Sequence, residues 1–151
     1  ISELTRDLSE WLPELIPLLQ NQVDPQAVKA AGLQAFHPPC TLQHGQQLRG
    51  GVESHLRELG FEVQVARSEA HLCCGSAGTY SILQPELSLK LRDNKLAALQ
   101  AGAPEGGASA NIGCIAQIAS GTDVPVLHPV ELIDWATGGP LPERLKVRVT
   151  T

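Results

Sequence analysis

From residue 33 onward the sequence alternates short apolar runs with longer stretches of helical periodicity, four times in succession. Residues 33–36, 61–65, 109–112 and 124–127 read as strands; residues 41–59, 76–101, 115–120 and 130–136 read as helices. In the first helix Leu48, Val52, His55, Leu56 and Leu59 share one face, and Gly60 stops it. In the second, Leu83, Leu87, Leu91, Leu96 and Leu99 recur at helical spacing before Gly102 and Pro104. Strands separated by helices do not close as hairpins. They lie parallel, joined by right-handed crossovers, with helices on both faces. The expected fold is α/β: four strand–helix units in a parallel, flavodoxin-like three-layer sandwich, with a helical N-terminal segment and the strand order left open.

The flanks are less regular. Leu4, Leu8, Trp11, Leu12, Leu15, Ile16 and Leu19 follow a helical pattern that Pro13 and Pro17 are expected to break into two short helices. The polar tail over 141–151 reads as an edge strand or as disordered chain. The expected division is a helical segment over 1–32, an α/β domain over 33–139 and a tail over 140–151. With 42% hydrophobic residues among 151, a full core is available without covalent staples. No methionine occurs, even at position 1, so a piece of a longer or processed chain is expected. Eleven basic against 16 acidic residues give −5, which argues against binding nucleic acid by phosphate neutralisation. Aromatics at 3% leave little for a base-stacking platform. No apolar run reaches the roughly 18 residues of a membrane span, and no secretory signal is present.

The chemistry should lie beyond the carboxyl ends of the strands, as it does in open parallel sheets. Cys40 follows the first expected strand, Cys73 and Cys74 the second, Cys114 the third and His128 the fourth. All four cysteines are thereby expected on one rim, each just before a helix. The partial positive charge of a helix N-terminus favours thiolate, the form that ligates metal. The glycine-rich turn after Cys74 offers N–H groups to sulfur, and His37-Pro38-Pro39-Cys40 is a stiff turn. The four thiols are expected to form one metal site. Buried thiols without metal, and a vicinal Cys73–Cys74 disulfide, remain as alternatives. His37, His71 and His128 are either auxiliary ligands or hydrogen-bond donors to sulfide, or turn histidines bonding backbone; His44 and His55 read as ordinary helix residues. The Gly75–Gly78 turn lacks the lysine of a phosphate-binding loop.

The cysteine pattern is C-x32-CC-x39-C, without the close CxxC pairs of a zinc ribbon. His37-Pro38-Pro39-Cys40, the segment from Leu72 through Cys73-Cys74-Gly75-Ser76-Ala77-Gly78-Thr79 to Tyr80, and Ala110-Asn111-Ile112-Gly113-Cys114 together resemble the CCG cysteine-rich domain. That domain also occurs in heterodisulfide reductase, and the likeness is greatest to the C-terminal part of glycolate oxidase (glycolate dehydrogenase) iron–sulfur subunits. The resemblance implies an oxidoreductase subunit engaged in electron transport. It implies Cys40, Cys73, Cys74 and Cys114 as ligands of an iron–sulfur cluster of 4Fe–4S type, with zinc as the alternative metal. Electrons would pass from a flavin-containing subunit to an acceptor, and a ferredoxin-like part would lie upstream in the same chain. The implied setting is cytoplasmic, at the inner membrane face through partners. A chain without a Rossmann GxGxxG is not expected to oxidise glycolate alone. The fuller family pattern ends in CxxC, and Gln117 stands where the last cysteine would be. The competing reading is a structural zinc or metal-free assembly module. A thiol–disulfide enzyme working through Cys73 and Cys74 is a third.

Overall fold

The computed structural model describes residues 4–48 and 50–149. The ends of the expected N-terminal segment and tail, and Arg49 within the expected first helix, lie outside the described residues. Four short strands among the described residues, β1 (Gln34–Phe36), β2 (Val63–Val65), β3 (Gly106–Ala108) and β4 (Val126–Leu127), form one parallel sheet in the order β2-β1-β3-β4. Ala35 stands opposite Gln64 on one side and Gly107 on the other. The chain leaves β1 toward β2, then crosses back over β1 to β3. The connections therefore diverge between β1 and β3, which is where such sheets place their ligands.

Helices cover both faces of the sheet: α1 (Leu8–Leu19), α2 (Pro25–Ala31), α3 (Gly51–Glu58), α4 (Tyr80–Leu83), α5 (Pro85–Gln100), α6 (Ile112–Ala119), α7 (Pro129–Ala136) and α8 (Glu143–Val149). Strand alternation divides the core in two. Phe36 and Leu127 face α1, α2, α3, α7 and α8, burying Leu12, Ile16, Leu56, Leu132 and Leu145. Ala35 and Val126 face α5 and α6, burying Leu96, Leu99, Ile115 and Ile118. This is the three-layer α/β sandwich expected. Cys74 and Cys114 belong to the second core.

Several expected boundaries are corrected. The third strand lies at Gly106–Ala108 rather than 109–112. Two glycines make a poor strand by propensity. Here they make room: a Cβ on Gly106 would collide with the buried Gln34 side chain, and one on Gly107 would crowd Val126 at 3.3 Å. The expected helix over 41–59 is a π-helical turn, Thr41–Gly45, followed by α3 after left-handed Gly50. The expected helix over 76–101 splits into α4 and α5. Pro85 starts the second piece and forces Gln84 out of helical geometry, to φ −132 and ψ 59.

At the N-terminus Pro13 and Pro17 do not break the helix; both lie inside α1. They sit on its exposed face, while Leu12 and Ile16 anchor the buried one. A capping box secures the start. Asp7 accepts from the Ser9 N–H at 2.9 Å, and Glu10 accepts from the Asp7 N–H at 2.7 Å. The tail is neither edge strand nor disordered where it is described. It forms α8, pinned by fully buried Leu145 and by Arg144, which donates to the Val126 carbonyl at 2.8 Å. Burying a leucine is worth about 2 kcal/mol, enough to dock a short helix.

Candidate metal centre

The first cysteine-bearing segment continues straight out of β1. The His37 N–H donates to the Ala108 carbonyl at 2.8 Å, extending the parallel ladder, and Ser109 Oγ donates to the His37 carbonyl at 2.9 Å. Pro38 and Pro39 then stiffen the turn. The N–H groups of Leu42 and Gln43 donate to the Pro39 carbonyl, and the Gln43 side chain donates to the Pro38 carbonyl at 2.7 Å. Cys40 is thereby held at the entrance to the π-helical turn.

The second segment is the loop after β2. The Gly75 N–H donates to Cys73 Sγ at 3.3 Å, so the glycine turn does direct an amide at sulfur. Ser88 Oγ on α5 donates to the Gly75 carbonyl at 2.8 Å, and Gln117 Nε2 on α6 donates to Ser88 Oγ at 2.9 Å. Lys95, 2% exposed, donates from Nζ to the Glu69 and Ala70 carbonyls at 2.7 and 3.3 Å. The loop is thus stitched to α5 from below. The third segment is the start of α6. Asn111 Oδ1 accepts from the N–H groups of Gly113 and Cys114, leaving Cys114 in the first turn. A Cβ on Gly113 would sit 2.6 Å from Ser76 Oγ, so this glycine lets α6 and the Cys-Cys-Gly turn approach.

Cys40, Cys73, Cys74 and Cys114 all line one pocket of about 180 Å³, walled by Pro39, Ser76, Ala77 and Asn111. All four are free thiols, so the vicinal pair is not joined. Cys74 and Cys114 are buried, Cys40 and Cys73 half-buried. The site therefore has an inner and an outer tier. On the inner tier the ligand atoms of His37, Cys74 and Cys114 lie within 4.8 Å of one another.

The inner thiols divide one proton. A hydrogen bond from Cys114 stabilises the Cys74 thiolate, helped by His37 and the Ser76 N–H, and outweighs burial; the Cys74 pKa falls to about 4. The same hydrogen bond, then burial, pushes Cys114 up. On the outer tier burial and the neighbouring Cys73 push Cys40 up, while Lys95 pulls the other way. Burial lowers the Lys95 pKa, and the surrounding thiols oppose that fall. The expected helix-end effect is thus overridden. Cys114, at a helix N-terminus, holds the proton. Cys74, six residues before α4, is the thiolate.

The other candidates have separate work. His128 caps α7, its Nδ1 accepting from the Val130 N–H at 3.2 Å, and burial lowers its pKa. His71 and His44 are exposed, and His55 pairs with Glu58 at 3.4 Å. Gln117 is tied to Ser88, away from the pocket. Sequence reasoning missed Ser88 and Lys95. Their signal was present: both fall on the stripe of α5 that also buries Leu96 and Leu99.

Four thiols and an imidazole at the switch point of a parallel sheet define a cysteine-lined α/β domain suited to a soft metal or a metal–sulfur cluster. Residues 34–119 match the CCG family, described as a cysteine-rich domain, and the chain belongs to that family. It is 43% identical over 136 residues to the glycolate oxidase iron–sulfur subunit of Escherichia coli K12, covering 89% of this chain and 33% of that protein. It is 36% identical over 138 residues to the probable glycolate oxidase iron–sulfur subunit of Bacillus subtilis 168, covering 87% and 31%. Lactate utilization protein A of Anoxybacillus flavithermus is 24% identical over 143 residues, covering 89% and 56%. The chain thus spans about a third of the length of the first two relatives. No helix among the described residues is long and apolar enough to cross a membrane.

Proposed function

We propose that this chain is the cysteine-rich domain of an iron–sulfur subunit and that it carries electrons in a complex oxidising glycolate or a related 2-hydroxy acid. The observation that carries this reading is the convergence of four free thiols on one pocket, with one inner thiol already biased to thiolate. Cys40, Cys73, Cys74 and Cys114 are the thiolate ligands, and the cofactor is a cluster of 4Fe–4S type. A thiolate donor set is the one that iron–sulfur chemistry requires, and the relatives' names point to the same cofactor and substrate.

When bound, the cluster supplies one-electron transfer. This chain's residues hold it, shield it and set its potential. Buried Cys74 and Cys114 anchor it in the apolar layer of Leu96, Ile115 and Ile118. The Gly75 amide directed at Cys73 Sγ stabilises negative charge on sulfur, and Lys95 adds a buried positive charge nearby. Ala77 and Gly78, both exposed and small, form a thin wall through which electrons can reach a partner. That partner is a flavin-containing subunit, and the remainder of the subunit supplies a ferredoxin-like part upstream. The complex works on the cytoplasmic side, at the inner membrane face through its partners. The α/β unit over 33–139 is the part that holds the centre.

Anaerobic reconstitution with iron and sulfide, followed by iron, sulfide and zinc analysis, tests the reading. A brown protein with about four irons and a broad visible band is expected for a 4Fe–4S centre, and Cys74→Ser should lose it. A colourless protein that takes up zinc alone, or a Cys74→Ser protein with full metal content, overturns it.

A further inference from the structure

His37 is 1% exposed, and neither of its ring nitrogens has a hydrogen-bond partner among the described residues. Leaving a buried polar group without a partner is unfavourable. The ring is close enough to favour thiolate at Cys74, yet falls short of full hydrogen-bond geometry. One side of it meets an apolar cavity lined by Ala35, Leu96, Leu99, Ile118 and Val126, which offers it little. On the other side stand the inner sulfurs, with a ring nitrogen and the Sγ atoms of Cys74 and Cys114 all within 4.8 Å of one another. This sets an imidazole nitrogen beside two thiols, a donor set suited to a soft metal or a metal–sulfur cluster.

The backbone keeps the ring there. His37 is fastened on both sides, through its N–H to Ala108 and through its carbonyl to Ser109, and Pro38 follows at once. No comparable geometry exists at the other described histidines. His128 spends its Nδ1 on a helix cap, and His71 is exposed outside the pocket. Gln117, one turn after Cys114, is committed to Ser88.

We infer that His37 is a nitrogen ligand of the metal centre, closing from below the donor set that the four cysteines form. This rests on the iron–sulfur reading above and adds a mixed nitrogen–sulfur coordination to it. A neutral imidazole where a thiolate could stand leaves the centre less negative, which raises its reduction potential.

The test labels the histidines of the wild-type chain with nitrogen-15, reconstitutes it anaerobically with iron and sulfide, and records pulsed EPR in the paramagnetic redox state. A strong histidine-nitrogen coupling is expected. It should vanish in His37→Cys, which keeps a donor at the same place, and the midpoint potential of that variant should fall. A wild-type centre without histidine coupling overturns the assignment while leaving the cofactor reading intact. So does a His37→Cys centre with unchanged coupling and potential. Wild-type protein that assembles no iron–sulfur centre overturns the cofactor reading, and this ligand with it. If His37→Cys fails to fold, the labelled wild-type spectrum decides alone.

Discussion

Gly75 and Gly78 offer a matched pair of substitutions that isolates one contact. Both are left-handed, with φ of +88 and +60, in the same loop. They differ in surroundings. A Cβ on Gly78 meets nothing within 4 Å, whereas one on Gly75 collides with the Ser88 carbonyl oxygen and comes within 3.2 Å of Leu91 Cβ. An alanine in left-handed geometry costs about 1–2 kcal/mol, offset by roughly 0.4–1 kcal/mol from the stiffer unfolded chain. Gly78→Ala should therefore destabilise by about 1 kcal/mol or less. Gly75→Ala adds overpacking of roughly 1–3 kcal/mol, and the clash is with helix backbone, which yields little. Its expected cost is about 2–4 kcal/mol, a large share of the stability of about 5–15 kcal/mol usual for a domain. For a chain of this size that is roughly 5–15 °C in melting temperature, against about 3 °C for Gly78→Ala. Urea unfolding of the two apo variants measures the difference. Equal midpoints would refute the claim that close approach of the loop to α5 excludes every side chain at position 75.

Ser88→Ala removes the donor to the Gly75 carbonyl, a buried bond, and the acceptor for Gln117, a part-buried one, and should cost about 1–3 kcal/mol by chemical denaturation. A loss below about 0.5 kcal/mol, the scale of surface substitutions, would mean that the stitch contributes nothing. Lys95→Met removes the positive charge that lowers the Cys40 pKa. The pH profile of Cys40 alkylation in the apoprotein should move to higher pH, and an unmoved profile contradicts the assigned role of Lys95. Partial burial works against the Asp7 carboxylate, but its bonds from Ser9 prevail and hold its pKa below the ordinary value of 3.8. A lowered folded pKa gives stability that is present above the unfolded value and lost as pH falls through the folded one. Asp7→Ala should thus cost about 1 kcal/mol at neutral pH, and its gap to the parent should narrow below about pH 4. A gap that stays constant from pH 6 to pH 3 removes the carboxylate from the capping argument.

The fold class was legible because it rests on a coarse signal. Apolar runs at 33–36, 61–65 and 124–127 overlap the observed strands, and their separation by helical stretches dictates parallel pairing. The third strand was not legible, because its reason is tertiary: Gly106 and Gly107 are strand residues on account of what Gln34 and Val126 need beside them. The break at Pro85 was written in the sequence but overridden by the leucine spacing on either side. The prolines of α1 erred the other way, since only the packing of Leu12 and Ile16 shows that their exposed face tolerates them. At the site, the cysteine spacing singled out the thiols. Choosing His37 over His71 and His128 required knowing which ring is buried without a partner.

The two tiers follow from how the fold makes each segment. Cys114 is fixed by a capped helix start and His37 by an extension of the sheet ladder, so the inner donors are part of the folded core and cannot adjust much. Cys40 and Cys73 lie on turns at the half-buried outer tier. An inner thiolate buried beside apolar helices would ordinarily be too costly to keep. It is kept because Cys114 donates a hydrogen bond to it, helped by His37 and the Ser76 N–H. Lys95 in turn has thiols to oppose the fall in its own pKa. Each buried ionisable group at this site is thus made tolerable by the others.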